Sequence, residues 1–88
     1  MDQGIIALKF GATWCGPCKT MAPIFDKVSG EFPTVDCRSV DVDEEPGMAK
    51  KFSVRSVPTV ILLKDGREVQ RIVGLARLEP LRRAFRET

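Results

Sequence analysis

Trp14-Cys15-Gly16-Pro17-Cys18 stands between an apolar run, Gly4 to Phe10, and a stretch in which Met21, Ile24, Phe25, Val28 and Phe32 recur at three- and four-residue spacing. The run before it is broken only by Lys9 and is short and isoleucine-rich, which suits a strand covered on both faces. The spacing after it marks one apolar face of a helix over about Cys15 to Phe32. Pro23 lies inside that helix and removes one backbone hydrogen bond, so a kink is expected near Lys19 to Pro23.

Further along, Val35, Cys37, Val40 and Val42 indicate a second strand, Val35 to Val42. A loop of acids and the turn residues Pro46 and Gly47 follow, then a short helix through Phe52. Thr59 to Leu63 is β-branched and apolar, Asp65-Gly66 is a hairpin signal, and Glu68 to Val73 alternates polar and apolar residues. Leu78, Leu81 and Phe85 give a last amphipathic helix, with Pro80 tolerated in its first turn. The order is βαβαββα, an α/β fold, with no repeat, linker or low-complexity segment.

Eighty-eight residues at 43% hydrophobic composition fit one domain, 1–88, with a modest core. No run approaches the roughly 20 apolar residues of a membrane helix, and Ile5 to Leu8 lacks the flanks of a signal peptide. The chain therefore reads as cytoplasmic and not membrane-bound. A net charge of +2 is too small and too dispersed to imply nucleic acid. Arg77, Arg82, Arg83 and Arg86 suit the negative end of a helix dipole and read as a solvated helix face.

Three cysteines, two of them only three positions apart, do not look like the disulfide framework of a small secreted domain. Between a strand and a helix, Cys15 falls at the helix N-terminus, where free amide groups and the dipole favour a thiolate. Cys15 is the expected nucleophile. Cys18, almost one turn on, is placed to attack a mixed disulfide formed at Cys15. Gly16 permits tight dihedrals and Pro17 fits the first helical turn, so the pair is held near disulfide geometry. Zinc is the competing reading of Cys-x-x-Cys, but with no histidine and only Cys37 besides, one chain cannot complete a ligand shell. No metal or bound cofactor is expected. Cys37 reads as a small buried hydrophobe, or, if exposed, as a link between two chains of an otherwise monomeric protein. Asp43 reads as a cap or turn former, and Lys19 as a solvated helix lysine that adds positive potential.

Phe10-Gly11-Ala12-Thr13-Trp14-Cys15-Gly16-Pro17-Cys18-Lys19, then Ala22-Pro23, Val40-Asp41-Val42-Asp43, Val57-Pro58-Thr59 and Gly74, resemble the landmarks of the thioredoxin family in the family's order. The resemblance spans about Gly4 to Phe85. It implies a minimal thioredoxin fold, a four-stranded mixed sheet flanked by three helices, about the size of a glutaredoxin. It implies a cis Pro58 facing the cysteines and a Val57 backbone offered to an extended substrate. Trp14, Val57, Val73, Gly74 and Leu75 would form an apolar rim around Cys15, with packing in the core as the plain alternative for Val73 and Leu75.

Three departures from the family pattern carry expectations of their own. The opening strand and helix of a full thioredoxin have no counterpart, so the second strand becomes an edge, discouraged from pairing by Asp36, Arg38 and Asp41. Lys9 stands where the family has a buried acid, and a cation there favours a Cys18 or Cys15 thiolate. Ser39 replaces the family's lysine on the neighbouring strand, which leaves Asp41 as a partner for Lys9, against the alternative of Lys9 reaching solvent.

The function implied by the resemblance is a protein-disulfide reductase acting on disulfide-containing proteins, recharged by a thioredoxin reductase or a glutaredoxin-type electron donor. The alternatives are a binding subunit of a larger enzyme in which the cysteines are dispensable, and a short glutaredoxin-like redoxin.

Overall fold

A computed structural model describes residues 4–88. Its elements run β1 (Ile5–Gly11), α1 (Gly16–Glu31), β2 (Asp36–Asp41), α2 (Pro46–Lys51), β3 (Thr59–Lys64), β4 (Arg67–Val73) and α3 (Leu78–Glu87). The sequence-based order βαβαββα is the observed one, with boundaries moved by one or two residues. α1 runs through Pro23 from Gly16 to Glu31.

The strands form one mixed sheet in the order β2-β1-β3-β4. β1 pairs parallel with β2, placing Phe10 opposite Val40, and antiparallel with β3, placing Leu8 opposite Ile61. The connection from β1 to β2 must therefore cross over, and α1 is that crossover. β2 and β4 are the edges. The β3-β4 turn forms because Asp65 and Gly66 both adopt positive φ, 53° and 86°, the backbone that a two-residue hairpin requires.

Strand alternation divides the core between the two faces of the sheet. On one face Ala7, Val60 and Leu62 meet Met21, Phe25 and Val28 of α1 and Leu81, Ala84 and Phe85 of α3. On the other, Leu8, Phe10, Val40, Ile61 and Leu63 are covered by Met48, Phe52, Val54 and Val57 from α2 and the loop after it. β1 and β3, buried on both faces, account for the near-continuous apolar runs.

Ion pairs tie the periphery. Arg82 of α3 donates to both carboxylate oxygens of Glu31 on α1, at 2.6 and 2.7 Å, and also meets Glu79. The hydrogen bond from Arg82 holds the Glu31 carboxyl below its ordinary range. At the β2 edge Asp36 and Arg38 pair with each other in the open, a contact that contributes little to stability but places charge along the edge.

Candidate active site

Cys15 is the N-cap of α1, with φ −92° and ψ 111°, and Pro17 occupies the first turn where a missing N–H costs nothing. The Cys15 sulfur accepts the backbone N–H of Cys18 at 3.2 Å, so a side-chain atom satisfies one of the helix's free amides. That donor and the helix dipole favour negative charge on Cys15. The two cysteines are joined as a disulfide, with Cα atoms 5.3 Å apart. Cys15 is buried, 4% exposed, whereas Cys18 is half-buried.

The loop before β3 closes over the pair. Val57-Pro58 is a cis peptide, as the resemblance implied, and the Val57 carbonyl oxygen lies 3.8 Å from the Cys15 sulfur. The Thr59 hydroxyl donates to Ser56 O at 2.8 Å, and Gly74, at φ 92°, donates its N–H to Pro58 O at 2.8 Å. The first bond closes the proline loop on itself, and the second joins the end of β4 to it and so brings residues 57–58 and 73–75 to one side of Cys15. Of the expected rim, Trp14 is 68% exposed, Val73 62% and Leu75 50%, which separates them from the core, while Val57 and Gly74 are partly buried. Trp14 and Val57 share a cleft with Val42, Val54, Arg55 and Ser56.

Two expectations need correction. Lys9 does not pair with Asp41. Its ammonium lies 5.3 Å over the Phe25 ring, while Asp41 Oδ1 accepts the backbone N–H groups of Asp43 and Glu44 at 2.8 and 3.3 Å. A carboxylate at the end of a strand satisfies the turn that follows it, and this local competitor takes the group from a cross-strand lysine. Asp41 is therefore the turn former, and Asp43, assigned that role from sequence, instead accepts the Trp14 indole N–H at 2.7 Å. The signal for Asp43 was its place at the end of the Val40 to Asp43 stretch, carried by the sheet to the same end as the cysteines.

Arg71, which no sequence pattern singled out, reaches from β4 across the sheet to the end of α2. It donates to Phe52 O at 2.6 Å and Ser53 O at 3.4 Å, while Glu68 holds its guanidinium with two further bonds. The start of the loop that leads from α2 to Val57 is thereby anchored.

Cys37 is half-buried on β2 and packs against the α1-side core. Burial, then Asp36 and Asp26 nearby, push its thiol up, while a hydrogen bond from Ser29 opposes them. At pH 8 it should alkylate several-fold more slowly than an unstructured cysteine, as read by timed iodoacetamide labelling of the oxidised protein. The sign for stability follows: the neutral thiol's contribution is complete below the unfolded value of about 8.5 and is lost as pH rises through the higher folded value.

Among the described residues no group of three or more histidine, cysteine or acidic side chains is placed to hold a metal ion. No helix among them is long and apolar enough to cross a membrane.

Comparison with known proteins agrees with this geometry. The thioredoxin family model matches residues 1–87. The thioredoxin of Chlamydia trachomatis is 47% identical over 73 residues, 83% of this chain and 72% of its own. That of Staphylococcus haemolyticus is 43% identical over 82 residues, 92% of this chain and 79% of its own. The X-ray structure of Fasciola hepatica thioredoxin superposes with a TM-score of 0.91 at 37% identity, covering 98% of this chain and 82% of that one. The disulfide at the α1 N-cap, facing a cis proline, and these matches together establish that the chain belongs to the thioredoxin family and is a thiol-disulfide oxidoreductase.

Proposed function

We propose that the protein works as a cytoplasmic, monomeric reductase of disulfides in other proteins. The observation that carries this reading is the Cys15 sulfur at the α1 N-cap, with an amide donor at 3.2 Å. In the reduced state the Cys15 thiolate attacks one sulfur of a target disulfide, and the other target sulfur leaves as thiolate. The Cys18 thiolate then attacks Cys15, the intermolecular bond breaks, and the second target sulfur leaves with its electron pair. The product is the Cys15–Cys18 disulfide that the structure holds.

Gly16 and Pro17 keep the two sulfurs within reach of each other. Trp14, Val57, Pro58, Val73 and Gly74 receive the target, with the Val57 backbone beside Cys15 suited to an extended chain. Electrons return from a thioredoxin reductase or a glutaredoxin-type donor. The direct test is insulin reduction coupled to NADPH oxidation through a bacterial thioredoxin reductase. Turnover is the expected result; an inert protein under both that donor and dithiothreitol would remove the reductase reading.

Lys9 lies on β1 beside the same cavity as Cys18. A cation there favours the thiolate, and no carboxylate among the described residues neutralises it. In Lys9→Met the Cys18 thiolate should form at a higher pH, followed by its ultraviolet absorbance in Cys15→Ser and wild-type backgrounds. An unchanged titration of both sulfurs would place Lys9 outside the chemistry.

A further inference from the structure

The cleft shared by Trp14 and Val57 holds about 130 Å³. An apolar cavity of about 150 Å³ takes a benzene-sized group, so this cleft has room for one aliphatic side chain and not for a loop. Trp14, Val42, Val54 and Val57 make its walls apolar, and Arg55 and Ser56 complete them. The cleft lies beside the point of attack, because Trp14 precedes Cys15 in the chain and the Val57 carbonyl oxygen is 3.8 Å from the Cys15 sulfur. In an extended target, residues within two positions of the attacked cysteine fall within about 7 Å of it, the reach of such a cleft.

Most polar groups around the cleft already have partners. The Trp14 indole N–H is given to Asp43 at 2.7 Å, and Ser56 O accepts the Thr59 hydroxyl at 2.8 Å. Arg55 is the one charged residue among those lining the cleft; Asp43 is exposed and does not line it. Arg55 is itself exposed and forms no ion pair among the described residues. The Ser56 hydroxyl beside it is a further donor. A guanidinium and a hydroxyl next to aliphatic walls match a carboxylate carried next to an aliphatic side chain.

We propose that this cleft sets a preference among targets: it takes an aliphatic side chain flanking the attacked cysteine, and Arg55 selects an acidic residue next to that side chain. The proposal rests on the reductase reading and names the class of disulfide preferred at the same site. Arg55 is a specificity-determining residue, acting on the target's flank and not on the exchanging sulfurs. The sulfur chemistry is the same for every target, because the start of α1 fixes Cys15 whatever lies in the cleft. Since Arg55 is exposed, water and salt screen its charge, and the preference is modest in size and dependent on salt.

The test mixes reduced protein at low ionic strength with short peptides, each carrying one cysteine as a mixed disulfide with 2-thiopyridine. The Cys15 thiolate bonds to the peptide sulfur, the thiopyridine leaves with the electron pair of the broken bond, and its absorbance reports the rate. The dipeptides Leu-Glu, Leu-Gln, Leu-Lys and Ala-Glu are placed before the cysteine in one set and after it in the other. Each rate is divided by that of the same peptide with dithiothreitol, and for each protein variant by its rate with 2,2′-dithiodipyridine, which has no side chain to seat. In the faster set, the Leu-Glu peptide should react about three-fold faster than Leu-Gln and about ten-fold faster than Leu-Lys. The Ala-Glu peptide should be about ten-fold slower than Leu-Glu. High salt should flatten the charge series and leave the difference between leucine and alanine. Arg55→Glu should invert the charge series. Equal rates along that series in both sets, equal rates for Leu-Glu and Ala-Glu, or a charge series that Arg55→Glu leaves in place would each overturn the proposal. Insulin turnover by the wild type separates the two readings: if it persists without the peptide preferences, the cleft proposal alone fails, and if it too is absent, the reductase reading fails with it.

Discussion

Replacing Cys15 with serine is expected to lower insulin reduction by about three orders of magnitude or more, to the uncatalysed background. A hydroxyl at the N-cap still accepts the Cys18 N–H, so the helix start survives and the loss isolates the chemistry. What disappears is the sulfur beside the Val57 carbonyl oxygen, and with it the intermolecular bond on which turnover depends. Cys18→Ser should behave differently. The first attack remains possible, but nothing resolves its product, so the variant should accumulate as a covalent complex with its target on non-reducing gels. Full turnover by Cys18→Ser would overturn the assignment of roles within the pair.

The largest effect on stability is expected at Phe85. Phe85 is 3% exposed and its ring meets Phe25 at a 6.1 Å centroid separation and Phe32 at 5.5 Å, so it joins α3 to the middle and the C-terminal end of α1's apolar face. Phe85→Ala removes those contacts and leaves a cavity that the sheet cannot fill, at a cost of about 3–5 kcal/mol. That is a large part of the roughly 5–15 kcal/mol by which a small domain is stable. Urea unfolding followed by circular dichroism should show a much lower midpoint with an unchanged slope. Because Phe85 packs against Phe25 and Phe32, away from Cys15 at the α1 N-cap, the folded fraction should retain its reducing activity. A loss below about 1 kcal/mol would mean that α3 carries little of the core.

The parts of the molecule that sequence reading reached are those set by neighbours along the chain. The dinucleotide Asp65-Gly66 specifies a hairpin through its own backbone preferences, and the spacing from Met21 to Phe32 specifies one helical face. Cys15 and Cys18 were legible for the same reason, since a helix start fixes both. Val57-Pro58 and Gly74, remote from the cysteines in sequence, came only with the family resemblance. The misreadings lie where a local partner and one brought by the sheet compete for the same group. Asp41 and Asp43 differ by two positions and point to the same end, yet one serves its own turn and the other meets an indole 29 residues earlier. Arg71 gave no pattern at all, because its acceptors are carbonyl oxygens, which every residue has.

That Arg71 contact bears on breadth of recognition. α2 buries none of its own side chains, and the segment that ends in Val57 is held by the Arg71 guanidinium at Phe52 and Ser53, by the Thr59–Ser56 bond and by Met48, Phe52, Val54 and Val57 on the sheet, none of them fully buried. Segments with so few buried contacts open at lower free energy than the strands beside them. The sulfur of Cys15, by contrast, is fixed by a sixteen-residue helix. A reactive atom held rigidly next to a wall that yields can meet disulfides in unrelated surroundings, reshaping its contact surface for each while the point of attack stays in place.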